Sequence, residues 1–295
     1  MDKGLYLYCI RTKTENKNLA FGKNLDSRFA RIKFSAEGIN GGEIFVIPYQ
    51  DLEAVVSEVS LEEFGSEEIQ KKAEGNLGWI REKAKIHEEA IEQAMGRGSS
   101  NIIPVIPMQF GVIFKTKEKL EETLSKNLEK FRKSLDYLTG KQEWGVKTFL
   151  NQKVFGEFLE KGSEEILAKK KEAESLPKGM AFFAKKQAVS KINEIKEKEL
   201  DRIKGEIHES LSQLAASSNN GRNARYIEHP AHYKAKNLER ELTGRIEEMI
   251  LNGFYLTEES KLNDFQKKAE ELKEKYSGRG IIIEMTGPWP SYHFA

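Results

Sequence analysis

A single cysteine in 295 residues removes two classes of protein at once. Cys9 alone builds neither a disulfide framework nor a CxxC metal or redox motif. It sits inside GLYLYCI (residues 4–10), where a thiol serves as a small buried hydrophobe. Long apolar runs are missing too, since none approaches the roughly 18 residues that span a bilayer. The opening MDKGLYLYCIRTKTENKN lacks the pattern of a secretory leader, so a cytoplasmic protein with no membrane partner is expected. Nor is there a surplus of either charge: Lys+Arg is 48 against Asp+Glu 47, a formal net charge of +1. Chains that bind nucleic acid carry a basic excess, so no nucleic-acid partner is expected.

Catalytic patterns are scarce as well. There is no GxSxG, Cys–His or SxxK arrangement to activate a nucleophile, and no GxxxxGK[ST] loop to cradle phosphate. GINGG (38–42) is a turn-like glycine cluster without GxGxxG spacing. His229 and His232, in EHPAH, form the one metal-like pair. The intervening Pro230 forbids an ordinary helical face, and two histidines do not close a tetrahedral site. His87 lies on the apolar stripe of a long helix and reads as a packing histidine, with Glu88 and Glu89 beside it on a solvated face. No catalytic residue, cofactor, metal ligand or small-molecule substrate is therefore expected.

What the chain does have is two cores' worth of patterned apolar residues, 38% of the total, under a surface dense in charge. The expected architecture is α+β, with an N-terminal mixed α/β domain over 1–140 and a C-terminal ferredoxin-like domain over 141–295. In the first, Gly4–Arg11 reads as a strand buried on both sides, Leu5, Leu7 and Cys9 opposing Tyr6, Tyr8 and Ile10. Strands at Gly42–Tyr49 and Leu52–Val59 precede a helix over Ser66–Met95, periodic through Ile69, Ala73, Leu77, Ile80, Ala84, His87, Ile91 and Ala94. Pro104 and Pro107 make IIPVIPMQFGVIF (102–114) an edge or bent strand. A second helix follows over Thr116–Leu138.

In the second domain EWGVKTFL (143–150) reads as a strand. A charged stretch at about 153–215 then carries a narrow seam of Ala188, Ile192, Ile195, Glu199, Ile203, Ile207, Leu211 and Leu214. That spacing predicts a helical hairpin, either a projecting arm or a helix laid on its own sheet. A short strand at Ala224–Glu228, a strand at Ile246–Thr257, a helix at Glu258–Tyr276 and a strand at Gly280–Thr286 complete the β–α–β–β–α–β order of a ferredoxin-like domain. Ile281–Met285 is apolar enough for a central strand. The chain then ends in TGPWPSYHFA (286–295), whose two prolines and three aromatics call for docking: Trp289 buried against the protein, Tyr292 and Phe294 left partly open to a partner.

GLYLYCI, the helix with Trp79 and KIHEEAIEQAM, VIPMQFGVIF, EWGVKTF, KGMAFFAKKQ, MILNGFYLT and the terminal TGPWPSYHF, taken in that order, resemble the gas vesicle protein family GvpL/GvpF over nearly the whole chain. The resemblance implies an N-terminal α/β domain, a modified ferredoxin-like C-terminal domain, and a role in gas vesicle assembly or as a minor shell component. It also implies a gas vesicle location and contacts with the hydrophobic shell protein GvpA and other accessory Gvp proteins. Gln109 stands where the family usually has arginine, and Ser291 where a third proline is common. Phe110, Phe114, Ile195, Ile203, Trp289, Tyr292 and Phe294 are the residues expected at partner interfaces. The alternative class is an enzyme or small-ligand binder on a ferredoxin-like scaffold, which a buried pocket with convergent polar groups would favour.

Overall fold

The computed structural model describes residues 2–13, 34–64, 76–98, 102–175, 178–216, 224–226 and 245–295. The chain forms two compact units, one of Met1–Gln142 with Pro288–Ala295 and one of Glu143–Gly287. The last eight residues, expected with the C-terminal domain, thus cluster with the first unit. Among the described residues there are two sheets and seven α-helices.

The first unit is built around β1 (Lys3–Thr12), which lies between β3 (Leu52–Ser60) on one side and β4 (Val105–Pro107) and β5 (Ile113–Phe114) on the other. β2 (Ile44–Tyr49) forms the outer edge on β3, and all these pairings are antiparallel. Pro48 on β2 and Pro107 on β4 sit on strands that need not donate from every N–H, which is where proline is tolerated in a sheet. The run 102–114, read as an edge or bent strand, is two short strands at the sheet's edge on β1, separated by a turn at Gly111, whose φ is +88°.

Helices cover both faces. After a single turn, α1 (Leu61–Phe64), α2 (Leu77–Ala94) starts at Asn76, whose side chain accepts from Trp79 N at 3.0 Å, and lays Ala90, Ile91 and Ala94 on one face. Residues 66–75 of the expected helix lie outside the described residues. α3 (Lys117–Leu138), capped by Thr116, places Leu120, Leu124 and Leu135 on the other.

β1 departs from strict alternation. Its register with β3 slips between Leu7 and Cys9, so Tyr8 is a bulge residue. Tyr6, Tyr8 and Cys9 consequently share the α2 face, while Leu7 and Ile10 share the α3 face. The expected sets of Leu5, Leu7 and Cys9 against Tyr6, Tyr8 and Ile10 therefore hold only up to the bulge. Past it, Arg11 pairs directly across the ladder with Glu53, Nε to Oε1 at 2.6 Å, with both side chains buried. An ion pair ties sheet to helix at the β2–β3 turn, where Gln50 has φ 54° and Arg132 of α3 holds the Asp51 carboxylate and the Gln50 amide.

The second unit has a four-stranded sheet in the order β7 (Ala224–Tyr226), β8 (Glu248–Glu258), β6 (Lys141–Leu150), β9 (Ile281–Trp289). β9 is therefore an edge strand, not the central one its apolar residues suggested. Edge placement is what allows Pro288 within it. Gly280 opens the strand at φ 75°, where a Cβ would lie 2.6 Å from Phe155 N, so no other residue fits.

α4 (Gln152–Gly162), α5 (Glu164–Glu174), α6 (Lys178–Ser212) and α7 (Leu262–Ser277) supply the helical layer. The α6 seam is internal to this unit: Ile192, Leu200, Ile203, Ile207 and Leu211 join Ile166 of α5, Phe265 and Leu272 of α7, and Val146 and Tyr255 of the sheet in one core. Glu199, which spacing put on the seam, pairs with Arg202 instead, and Leu200 fills the core position.

Because Ile203 is fully buried and Val189 on the same helix is 56% exposed, the two positions should respond differently to charge. Ile203→Asp is expected to cost upward of about 4 kcal/mol, and Val189→Asp to stay within about 0.5 kcal/mol. Urea unfolding of the two variants checks this, and equal midpoints would refute the core placement.

Candidate functional site

Buried polar residues of the first unit gather on the α2 face of β1. His87 is 4% exposed, and its Nε2 lies 3.1 Å from the Met108 carbonyl oxygen, which only accepts. Nε2 therefore carries the proton, and Nδ1 accepts from the Tyr6 hydroxyl at 2.9 Å. Tyr6 in turn accepts from Gly111 N at 3.0 Å. Next to it, the Tyr8 hydroxyl accepts from Ile39 N at 2.8 Å and bonds Ser57 Oγ at 2.8 Å. The rings pack as well as bond: Tyr6 and Tyr8 centroids are 4.9 Å apart, and Phe110 stands edge-on to His87 at 5.9 Å.

Burial drives each of these groups toward its neutral form. It lowers the His87 imidazole to about 4, raises the Tyr6 and Tyr8 phenols, and pushes the Cys9 thiol up to about 12. A general base or activated nucleophile needs a pKa near the working pH, and these lie on the wrong side of it. The wiring orients strands and helix.

The tail arrives over this helix. Gly287, within β9, has φ 143°, and a Cβ there would lie 3.0 Å from the Trp144 ring of β6. Trp289 is half-buried beneath the Arg97 guanidinium, 5.3 Å from the ring centroid, and Arg97 is itself paired with Glu92. Pro290 and Ser291 are buried, and a tight turn closes through Ala295 N to Ser291 O at 3.0 Å. The Tyr292 hydroxyl donates to Glu88 Oε2 at 2.8 Å; partial burial, then the adjacent carboxylate, raises its pKa. Phe294 is 2% exposed.

The residues expected at interfaces thus divide. Phe110 and Phe114 are half-buried, the first against Tyr6 and His87, the second on the α3 face. Ile203 is core and Ile195 is packed against that core. Of the tail aromatics, Trp289 is less buried than expected, Phe294 more, and Tyr292 remains 40% exposed. The structure brings together Phe110 and, through α2, the tail; it does not bring Ile195 or Ile203 into that unit. Glu88 was assigned to a solvated face, yet it receives the tail. Its position next to His87 on α2 was visible, but only a contact spanning 204 residues reveals its role.

His229 and His232 lie outside the described residues. Among the described residues no group of three or more His, Cys, Asp or Glu could hold a metal ion, and no helix is long and apolar enough to cross a membrane. A shallow open groove of about 280 Å³ runs along Leu150–Lys153 and Ile246–Glu248 in the second unit.

These features define a two-unit α+β protein whose buried polar groups organise packing and whose last residues dock on the first unit. The gas vesicle synthesis protein GvpL/GvpF family matches residues 4–295, and the chain belongs to that family. It is similar to gas vesicle protein L of Streptomyces sp. (strain CB03234), 23% identical over 88% of this chain and 86% of that protein. It is also similar to gas vesicle protein L1 of Halobacterium salinarum, 19% identical over 100% of this chain and 91% of that one. The crystal structure of GvpF from Anabaena sp. PCC7120 superposes with a TM-score of 0.66 at 19% identity, covering 99% of this chain and 98% of that one. GvpF from Microcystis aeruginosa superposes with a TM-score of 0.59 at 15% identity and the same coverage.

Two predictions follow the geometry. The unfolded-state imidazole titrates near 6.5 and the folded one at about 4, so between these values the unfolded state binds more protons and acid destabilises the fold. Relative to His87→Phe, the parent should lose up to about 3 kcal/mol as pH falls from 7 to 4, read by urea unfolding at each pH. For the tail, Phe294→Ala should cost about 3–5 kcal/mol and Tyr292→Phe about 1 kcal/mol, because only Phe294 is fully buried. Thermal denaturation ranks the two.

Proposed function

We propose that this protein is a non-enzymatic accessory component of gas vesicles, acting in the cytoplasm during vesicle formation through its surfaces. Its partners in this proposal are the hydrophobic shell protein GvpA and other accessory Gvp proteins. The observation that carries it is the family match across residues 4–295. Two features add support: the buried titratable cluster is held neutral, and the chain length agrees with relatives named as gas vesicle proteins. A protein that holds an apolar shell subunit before assembly shields surface that would otherwise aggregate, and needs complementary faces instead of a reactive centre. The second unit is proposed as a modified ferredoxin-like domain on its strand order, in which β6 and β8 are central and β7 and β9 are edges. The small-ligand alternative would rest on the groove at Leu150–Lys153, which is open and lacks enclosing apolar walls.

The decisive test is deletion of the gene in a gas-vesicle-forming host, followed by electron microscopy of vesicles and immunoblotting of purified vesicles from the parent. Lower vesicle yield or altered shape is expected. Vesicles of normal number and shape in the deletion, with none of the protein on those of the parent, would overturn the proposal.

A further inference from the structure

We propose that the outer part of the α5–α6 hairpin is a docking groove for an acidic amphipathic helix of a partner protein. Only part of α6 belongs to the core of the second unit. Among the described residues its buried positions run from Ala188 to Leu211, whereas the helix begins at Lys178, about 15 Å further out. α5 packs beside it and is joined to it through residues 175–177, so the two helices run antiparallel. Their register follows from charge. The Lys191 pKa is raised first by its pair with Glu194 and further by the Glu165 carboxylate of α5, which sets residue 191 near residue 165. Leu167 and Val189, each two residues nearer the tip, therefore stand level with one another.

Each helix buries one narrow stripe here, Ile166 on α5 and Ala188 with Ile192 on α6, and the two stripes face each other. Antiparallel helices turn in opposite senses, so one residue on from each stripe Leu167 and Val189 emerge on the same side, 41% and 56% exposed. Lys171, a turn from Leu167, and Lys186, a turn from Val189, are exposed and flank that pair. Charge identifies the occupant. Residues 167–191 hold seven lysines against two glutamates, with no arginine, in a chain whose net charge is +1. Lys169 and Lys191 are paired within their own helices, whereas Lys171 and Lys186 have no ion pair among the described residues. Further along α6 the cations are matched on the helix itself, as in Lys204–Asp201 and Arg202–Glu199. A merely solvated face needs no apolar pair among its lysines, and phosphate recognition favours arginine. Two helices side by side leave a groove one helix wide. A third helix with an apolar stripe and acidic flanks covers Leu167 and Val189 while its carboxylates meet the lysines.

The test uses the full-length chain and synthetic probes, so its outcome does not depend on the gas vesicle role. A stapled helical peptide with a leucine stripe flanked by glutamates is titrated by fluorescence anisotropy. The same peptide with lysine for each glutamate, phosphatidylglycerol vesicles and a single-stranded oligonucleotide are titrated beside it. The acidic peptide should bind, and bind more weakly as salt rises. Val189→Asp, with its fold checked by circular dichroism, should weaken that binding about tenfold or more. Lys171→Glu combined with Lys186→Glu should shift the preference to the lysine peptide. Absence of binding by the acidic peptide, equal binding of the two peptides, or binding unchanged by these substitutions would overturn the proposal. Tighter binding of the vesicles or the oligonucleotide would overturn it equally.

Discussion

Everything in the first unit depends on β1 being covered from both sides. A strand with one wet face can leave its polar side chains in water, but β1 has α2 above and α3 below. Tyr6, Tyr8 and Arg11 are therefore taken out of solvent along with Leu7 and Ile10. Each buried donor or acceptor must then find a partner, since one left unmade costs on the order of 1–3 kcal/mol. The Tyr6–His87–Met108 chain, the Tyr8–Ser57 bond and the Arg11–Glu53 pair all answer that demand. Arg11 also donates to the Ala94 carbonyl, which ties the end of α2 to the sheet.

The same burial explains why the titratable groups of this polar region favour their neutral forms. Desolvation favours neutral forms, and the hydrogen bonds present are those the neutral groups can make. One group of β1 falls short of the demand for partners: Arg11 Nη2 is buried without a hydrogen-bond partner among the described residues. α2 serves both sides of this arrangement. Its inner stripe seals the cluster, and Glu88, one residue from His87, reaches the tail. The docking of residues 288–295 is thus an extension of the first unit's packing, although the segment is covalently the end of the second unit's edge strand.

In the second unit the long helix α6 shows how far a narrow seam constrains structure. Isoleucine and leucine at spacings of three and four require a partner surface, and here that surface is the unit's own sheet with α5 and α7. The charged remainder of the helix is organised by local pairs such as Lys191–Glu194 and Arg202–Glu199, which add solubility and little stability. Glu206 reaches further, accepting from the Tyr276 hydroxyl on α7 at 2.8 Å.

The amino-acid sequence by itself determined the class of fold, because apolar periodicity is local: two-sided burial marked β1, and stripes through Ile91 and Ala94 or Leu120 and Leu124 marked α2 and α3. It also determined that no catalytic motif stood in the chain and that the terminal aromatics needed a surface, since each rests on residue type and spacing. Three things it left open were decided by tertiary structure. A bulge at Tyr8 changes which side chains share a face, and its cause is the register with β3, some 48 residues away in the chain. The seam of α6 became core because a sheet formed beneath it; the spacing fits an inward and an outward seam equally. Glu88 and Tyr292 meet across 204 residues, and the bond between them turns a solvated glutamate and a free tail into one docking site. Periodicity records which side of an element is apolar, whereas which element arrives there is set by chain crossings that no local pattern encodes.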